Sequence, residues 1–116
     1  MNKYQDLKIW EKSMELVEKT YLLMKLLPDE EKFGLISQIK RCSVSIPSNI
    51  AEGAGRNSNN EFKHFLSITN GSTTELETQI LLTVRLDLVD KNEIQEILNL
   101  CTEIKKMNYA LQKSLS

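Results

Sequence analysis

Histidine occurs once in these 116 residues, cysteine twice, proline twice and glycine four times, and aromatic residues make up only 6%. Each scarcity excludes something. Few glycines and prolines, beside abundant Leu, Ile, Glu and Lys, argue against a turn-rich β fold and for an all-helical one. A di-iron carboxylate bundle needs two Glu-x-x-His motifs, and Glu61-Phe62-Lys63-His64 uses the only histidine, so no such centre can be completed by one chain. Cys42 and Cys101 lack C-x-x-C spacing and read as reduced thiols serving as small apolar residues.

Long apolar runs are also missing. YLLMKLL and QILLTVRL are interrupted by Lys25 and Arg85, well short of the roughly 20 residues a membrane span requires. The opening MNKYQDLKIWEK has neither an apolar core nor a small-residue cleavage site. The expectation is a cytoplasmic chain that does not enter a membrane. Charge of one sign is absent as well: 15 Lys and Arg face 16 Asp and Glu, for a net charge of −1. No basic run marks a nucleic-acid arm, although an oligomer can gather a few cations into one ring. A chain of this length is expected to form one domain over 1–116.

What is present is helical periodicity. Leu7, Trp10, Met14, Val17, Tyr21 and Met24 step by three and four and predict a first helix over about residues 5 to 26, closed by Leu27-Pro28. Leu35, Ile39, Cys42 and Ile46, continued by Asn49 and Gly53, predict a second helix over about 30 to 54 that is bent at Pro47. The hydroxyls of Ser43 or Ser45 are expected to serve the Ser43 carbonyl that the proline frees. A third helix follows, capped by Asn60, with its seam through Phe62, Phe65, Leu66, Ile68 or Thr69, Thr73, Leu76, Ile80 and Val84. Thr69-Asn70-Gly71-Ser72 gives it a soft centre. Ile94, Ile97, Cys101, Ile104, Asn108 and Leu111 predict the fourth. Short connections make consecutive helices antiparallel neighbours, which is the up-down-up-down four-helix bundle.

No catalytic set emerges. Neither cysteine shares a helical face with the histidine, and no base lies near Ser43, Ser45 or Ser48 in the sequence. An enzyme, a cofactor, a metal and a small-molecule substrate are therefore not expected. The stretch SIPSNIAEGAGR, residues 45 to 56, is no phosphate loop, because no strand precedes it and no Gly-Lys follows. Gly53 and Gly55 read instead as a helix end at which one glycine takes a positive φ. Ser45, Asn49, Glu52 and Gly53 face Gly71, Ser72 and Glu75 across the turn, and small polar residues there predict either a hydrogen-bonded register element or a ligand pocket. Lys40, Arg41 and Arg56 flank the stretch as candidate phosphate or partner contacts.

LISQIKRCSVSIPSNIAEGAGR, followed by EFKHFLSITNGSTTELETQI, resembles the proteins first noticed as reading frames inside intervening sequences of bacterial 23S ribosomal RNA genes. Gln38, Arg41, Ser45, Ile46, Asn49, Ile50, Ala51, Glu52, Gly53 and Arg56 match that family's core, as do Gly71, Ser72, Glu75 and Leu76. The resemblance implies an antiparallel four-helix bundle that assembles into a homopentameric ring, without any established catalytic residue. The accessory variability protein of diversity-generating retroelements looks related. In that branch a basic ring engages nucleic acid and a reverse transcriptase, whereas the net charge here is −1.

Overall fold

Local signals at three connections divide the chain into helices. The computed structural model describes residues 3–116; residues 1 and 2, where the expected 1–116 unit begins, lie outside them. Four helices, α1 (Lys8–Met24), α2 (Leu35–Ala54), α3 (Asn59–Arg85) and α4 (Gln95–Ser114), are joined through short 3₁₀ turns at Asp29–Glu31 and Lys91–Ile94, and a third such turn, Tyr4–Asp6, precedes α1. No strand occurs among the described residues. The all-α class is as expected.

Past α1 the amides of Lys25, Leu26 and Leu27 reach back only three residues, at 3.0–3.2 Å, which tightens the coil before Pro28 turns extended at ψ 152°. The second helix starts at Leu35, five residues later than its apolar spacing suggested, because the acidic Asp29–Glu31 stretch forms a separate turn. The cap of α3 is Ser58, not Asn60: the Ser58 hydroxyl accepts the Glu61 amide at 3.1 Å. Ser-x-x-Glu is the stronger cap signal: besides accepting the Glu61 amide, the Ser58 hydroxyl lies 3.3 Å from the Glu61 carboxylate, to which it donates. At its other end α3 closes on Asp87, whose φ of 59° is left-handed. There Leu88 N–H donates to the Thr83 carbonyl at 2.9 Å and Asp87 N–H to that of Val84 at 3.0 Å, the paired arrangement that ends a helix when one residue enters the left-handed region.

The helices pack in a closed cycle, α1 on α2, α2 on α3, α3 on α4 and α4 on α1, within a rod of 44 × 24 × 20 Å. Lys12 meets Glu103 and Lys19 meets Glu96, so α1 and α4 run in opposite senses. Cys42 meets Ser72 while Gly53 meets Phe62 and Phe65, so α2 and α3 do too.

The buried face of α1 departs from the spacing given above. Ile9, Ser13, Leu16, Thr20 and Leu23 are buried, while Met14 and Tyr21 are more than a third exposed and Trp10 is half-buried with its ring edge-on to Tyr4. The seam is shifted by one position because two of its members are hydroxyl residues. Ser13 donates to the Trp10 carbonyl and Thr20 to that of Leu16, both at 2.7 Å, so neither carries an unmet polar group into the core. Thr69, Thr73 and Thr83 on α3 do the same at 2.6–3.0 Å. Thr69, and not the exposed Ile68, is the core residue, and α3 runs unbroken through the expected soft centre.

Pro47 is buried inside an uninterrupted α2. The neighbouring hydroxyls do not serve the carbonyl it frees: Ser43 donates to Lys40 O at 2.8 Å and Ser45 to Cys42 O at 2.6 Å. On α4 the expected seam is found, with Ile94, Ile97, Cys101, Ile104 and Asn108 all buried. Asn108, 1% exposed, donates from Nδ2 to the Leu66 carbonyl of α3 at 2.9 Å and accepts from Gln112 at 2.6 Å.

The two motif glycines do opposite things. No glycine among the described residues has a positive φ; Gly55 ends α2 at φ −84°, so the expected left-handed glycine is absent and the left-handed residue is Asp87. Gly53 is buried, and a Cβ there would lie 2.7 Å from Phe65 Cβ and 3.0 Å from Phe62 Cδ1. A Cβ on Gly71 would meet no atom within 4 Å. Gly53→Ala should therefore cost about 1–3 kcal/mol by overpacking, while Gly71→Ala should gain up to about 1 kcal/mol of helix propensity. Urea denaturation of the two variants checks both signs.

Candidate functional site

The stretch of α2 from Gln38 to Asn49 turns one polar row outward, and α3 answers with Ile68, Ser72, Glu75 and Gln79. Between them lies an open groove of about 500 Å³, lined by Gln38, Arg41, Ser45, Asn49, Ser72 and Glu75 together with Cys42, Ile68 and Gln79. It is not the enclosed cavity that a ligand carrier calls for.

Helical periodicity explains which residues gather here. Gln38, Arg41, Ser45 and Asn49 step by three and four and share one face of α2, beside the buried row of Ile39, Cys42 and Ile46. Asn49 is thus half-buried on the rim of the core and not within its seam. Its Nδ2 donates to Ser45 O at 2.8 Å, within its own helix. The link across the groove comes from Cys42, whose thiol donates to the Ser72 carbonyl at 3.2 Å. The buried amide that joins two helices is Asn108, which ties α4 to α3 at the Leu66 carbonyl and is not part of the groove.

The remaining candidates divide. Arg41 and Glu75 are exposed on opposite walls of the groove. Glu52 lies outside it and pairs at 2.9 Å with Arg56, whose guanidinium also stacks 4.9 Å from the Phe65 ring centre. Lys40 points its ammonium at Tyr21 of α1, 4.8 Å from the ring centre. Gly53 belongs to the α2–α3 contact, and Gly71 is exposed outside the groove. Of the three flanking cations, only Arg41 faces the groove without an ion pair or aromatic partner among the described residues.

Gln79 was not singled out by sequence and belongs to this site. Its amide nitrogen reaches Glu75 at 3.4 Å, and its Oε1 is buried without a hydrogen-bond partner. The apolar count around QILLTVRL hides it, although its spacing of four from Glu75 places both on one face.

Both thiols are held protonated. Burial, followed by the Glu75 carboxylate nearby, pushes Cys42 up to about 12. Burial and then the charge of Glu77 push Cys101 to about 12, partly opposed by Lys105, which is paired with Glu77. A thiol rather than a thiolate is a poor nucleophile and a poor metal ligand. No group of three or more His, Cys, Asp or Glu side chains that could hold a metal occurs among the described residues. His64 is exposed, edge-on to Phe65 at 5.6 Å. No helix among the described residues is long and apolar enough to cross a membrane.

A family model described as 23S rRNA-intervening sequence protein matches residues 5–110. Among solved structures, the chain is similar to a protein of unknown function from the S23 ribosomal protein family of Bacteroides thetaiotaomicron. The two are 30% identical with a TM-score of 0.83, over 90% of this chain and 98% of the other. No curated protein matches.

The protonated thiols give a direct test. Native protein at pH 8 should not react with a disulfide reagent, and unfolding in guanidinium should release two thiol equivalents. Because the folded state holds these protons more tightly than the unfolded chain, their contribution to stability should be full below about pH 9 and fall as pH rises toward about 12. Denaturation midpoints across that range measure the slope.

Proposed function

This chain belongs to the 23S rRNA-intervening sequence protein family, and on that premise we propose that it is a non-enzymatic assembly module. In this reading it is one unit over 1–116, cytoplasmic, that self-associates into a ring, pentameric by the resemblance, and whose α2–α3 groove receives a macromolecular partner. The observation that carries the proposal is the gathering of Gln38, Arg41, Ser45, Asn49, Ser72 and Glu75 in one groove. All six belong to the two sequence motifs that carry the family resemblance. A motif that served only the bundle would be used up in its core; this one leaves the Arg41 guanidinium, without an ion-pair partner among the described residues, and the Glu75 carboxylate exposed at the surface. Exposed polar groups held on rigid helices suit recognition more than packing.

Arg41 favours a second reading, in which the chain, as a relative of the accessory variability protein of diversity-generating retroelements, binds RNA or DNA weakly and acts in ribosomal RNA or reverse-transcriptase-linked processes. A guanidinium not committed to a carboxylate is available to phosphate. The near-balanced charge of the chain limits the affinity one protomer can supply.

Light scattering on the purified chain at micromolar concentration should give a mass of several protomers; a monomer would overturn the assembly reading. Fluorescence anisotropy with labelled single-stranded RNA and duplex DNA tests the second. Binding at low salt that falls linearly with log salt and is weakened by Arg41→Ala supports it, and no salt-sensitive rise removes it.

A further inference from the structure

Phe33 is 91% exposed, the most exposed of the large apolar residues among those described. It stands at the tip of the connection between α1 and α2, with only the Lys32 ammonium over its ring at 5.6 Å. An aromatic ring held in water forgoes the burial that stabilises such side chains elsewhere. At the opposite edge of the bundle, where α3 passes into α4, an apolar groove of about 450 Å³ has walls of Leu81, Leu82, Ile94 and Leu98 and a rim that includes Arg85 and Lys91. Leu81 and Leu82 are 48% and 39% exposed.

We propose that this groove receives the Phe33 tip of a second copy of this chain. The contact rests on the self-association put forward above and names the surfaces that make it. Two independent features select a second copy as the occupant. One is charge: Asp29, Glu30 and Glu31 precede Lys32 and Phe33, so that three acids against one lysine leave residues 29–33 at −2, and neither the three acids nor Arg85 and Lys91 have an ion-pair partner among the described residues. An acidic tip therefore meets a basic rim. The other is placement. The α1–α2 and α3–α4 connections lie at the same end of an antiparallel bundle, and in the packing cycle the α1/α2 edge is diagonally across from the α3/α4 edge. Knob and groove sit at one height on opposite sides of the rod.

That geometry is heterologous, since each copy gives its tip to one neighbour and its groove to the other. Repetition of such a contact closes a ring or grows a filament, depending on the rotation and rise per step. A knob and a groove at equal height add little rise.

Complementary variants test the contact. Phe33→Asp spoils only the tip and Leu81→Asp only the groove; both positions are exposed, and circular dichroism confirms the fold of each. Sedimentation velocity should show each variant dissociating, with a dissociation constant raised at least about tenfold by loss of one phenyl burial. An equimolar mixture should form a one-to-one heterodimer and nothing larger, because one tip and one groove remain intact. If Phe33→Asp keeps the wild-type assembly, this contact is wrong while self-association stands. If both variants dissociate but do not pair on mixing, the head-to-tail assignment fails. A monomeric wild type overturns self-association and this contact with it.

Discussion

The close approach of α2 and α3 is the constraint on which the rest of the molecule depends. Gly53 lets Phe62 and Phe65 come within a distance that no side chain would permit, and the Cys42 thiol reaches the Ser72 carbonyl along the same seam. Two helices held this near leave a shallow polar groove beside their contact and not a deep one. The same proximity surrounds Cys42 with protein and brings Glu75 toward it, so the proton stays on sulfur. Packing, groove shape and thiol chemistry thus share one cause.

A second regularity makes that approach affordable to a core rich in Ser and Thr. Each buried hydroxyl of α1 and α3 returns its proton to a carbonyl three or four residues back in its own helix. The residue then behaves toward its neighbours as a small, satisfied side chain. Asn108 is different: its amide is both donor and acceptor, and it is satisfied by donating to the Leu66 carbonyl on another helix and accepting from Gln112.

How much of this the sequence discloses varies with the element. The α4 seam was readable because its buried positions are Ile, Cys and one Asn at regular spacing. On α1 the same method chose Met14 and Tyr21 over Ser13 and Thr20, since counting apolar residues cannot recognise a hydroxyl that satisfies itself. Ser58 carried a readable cap in its pairing with Glu61, whereas nothing local identifies Asp87 as the left-handed residue; glycine is the usual signal, and here it is missing. The motif residues were found, but their roles sorted only in three dimensions. Gly53 and Gly71 look alike in sequence and differ in what lies opposite them. Gln79 is masked in the sequence by the apolar run that follows it.

The short connection between α2 and α3 fixes one further property. Asn59 at the start of α3 reaches the Leu115 carbonyl, and Lys63 reaches Ser116, so the last described residue lies beside the α2–α3 turn. The beginning of α1 lies at that same end, since α1 and α4 are antiparallel. The rod therefore has a head, formed by two connections and the Phe33 tip, and a tail that carries both ends of the described chain. Rods standing side by side in one sense would present two chemically unlike rims, with the first and last described residues of each rod on one of them. A large partner approaching such an array would meet each feature as many times as there are protomers, and even a weak single contact would gain by multivalence.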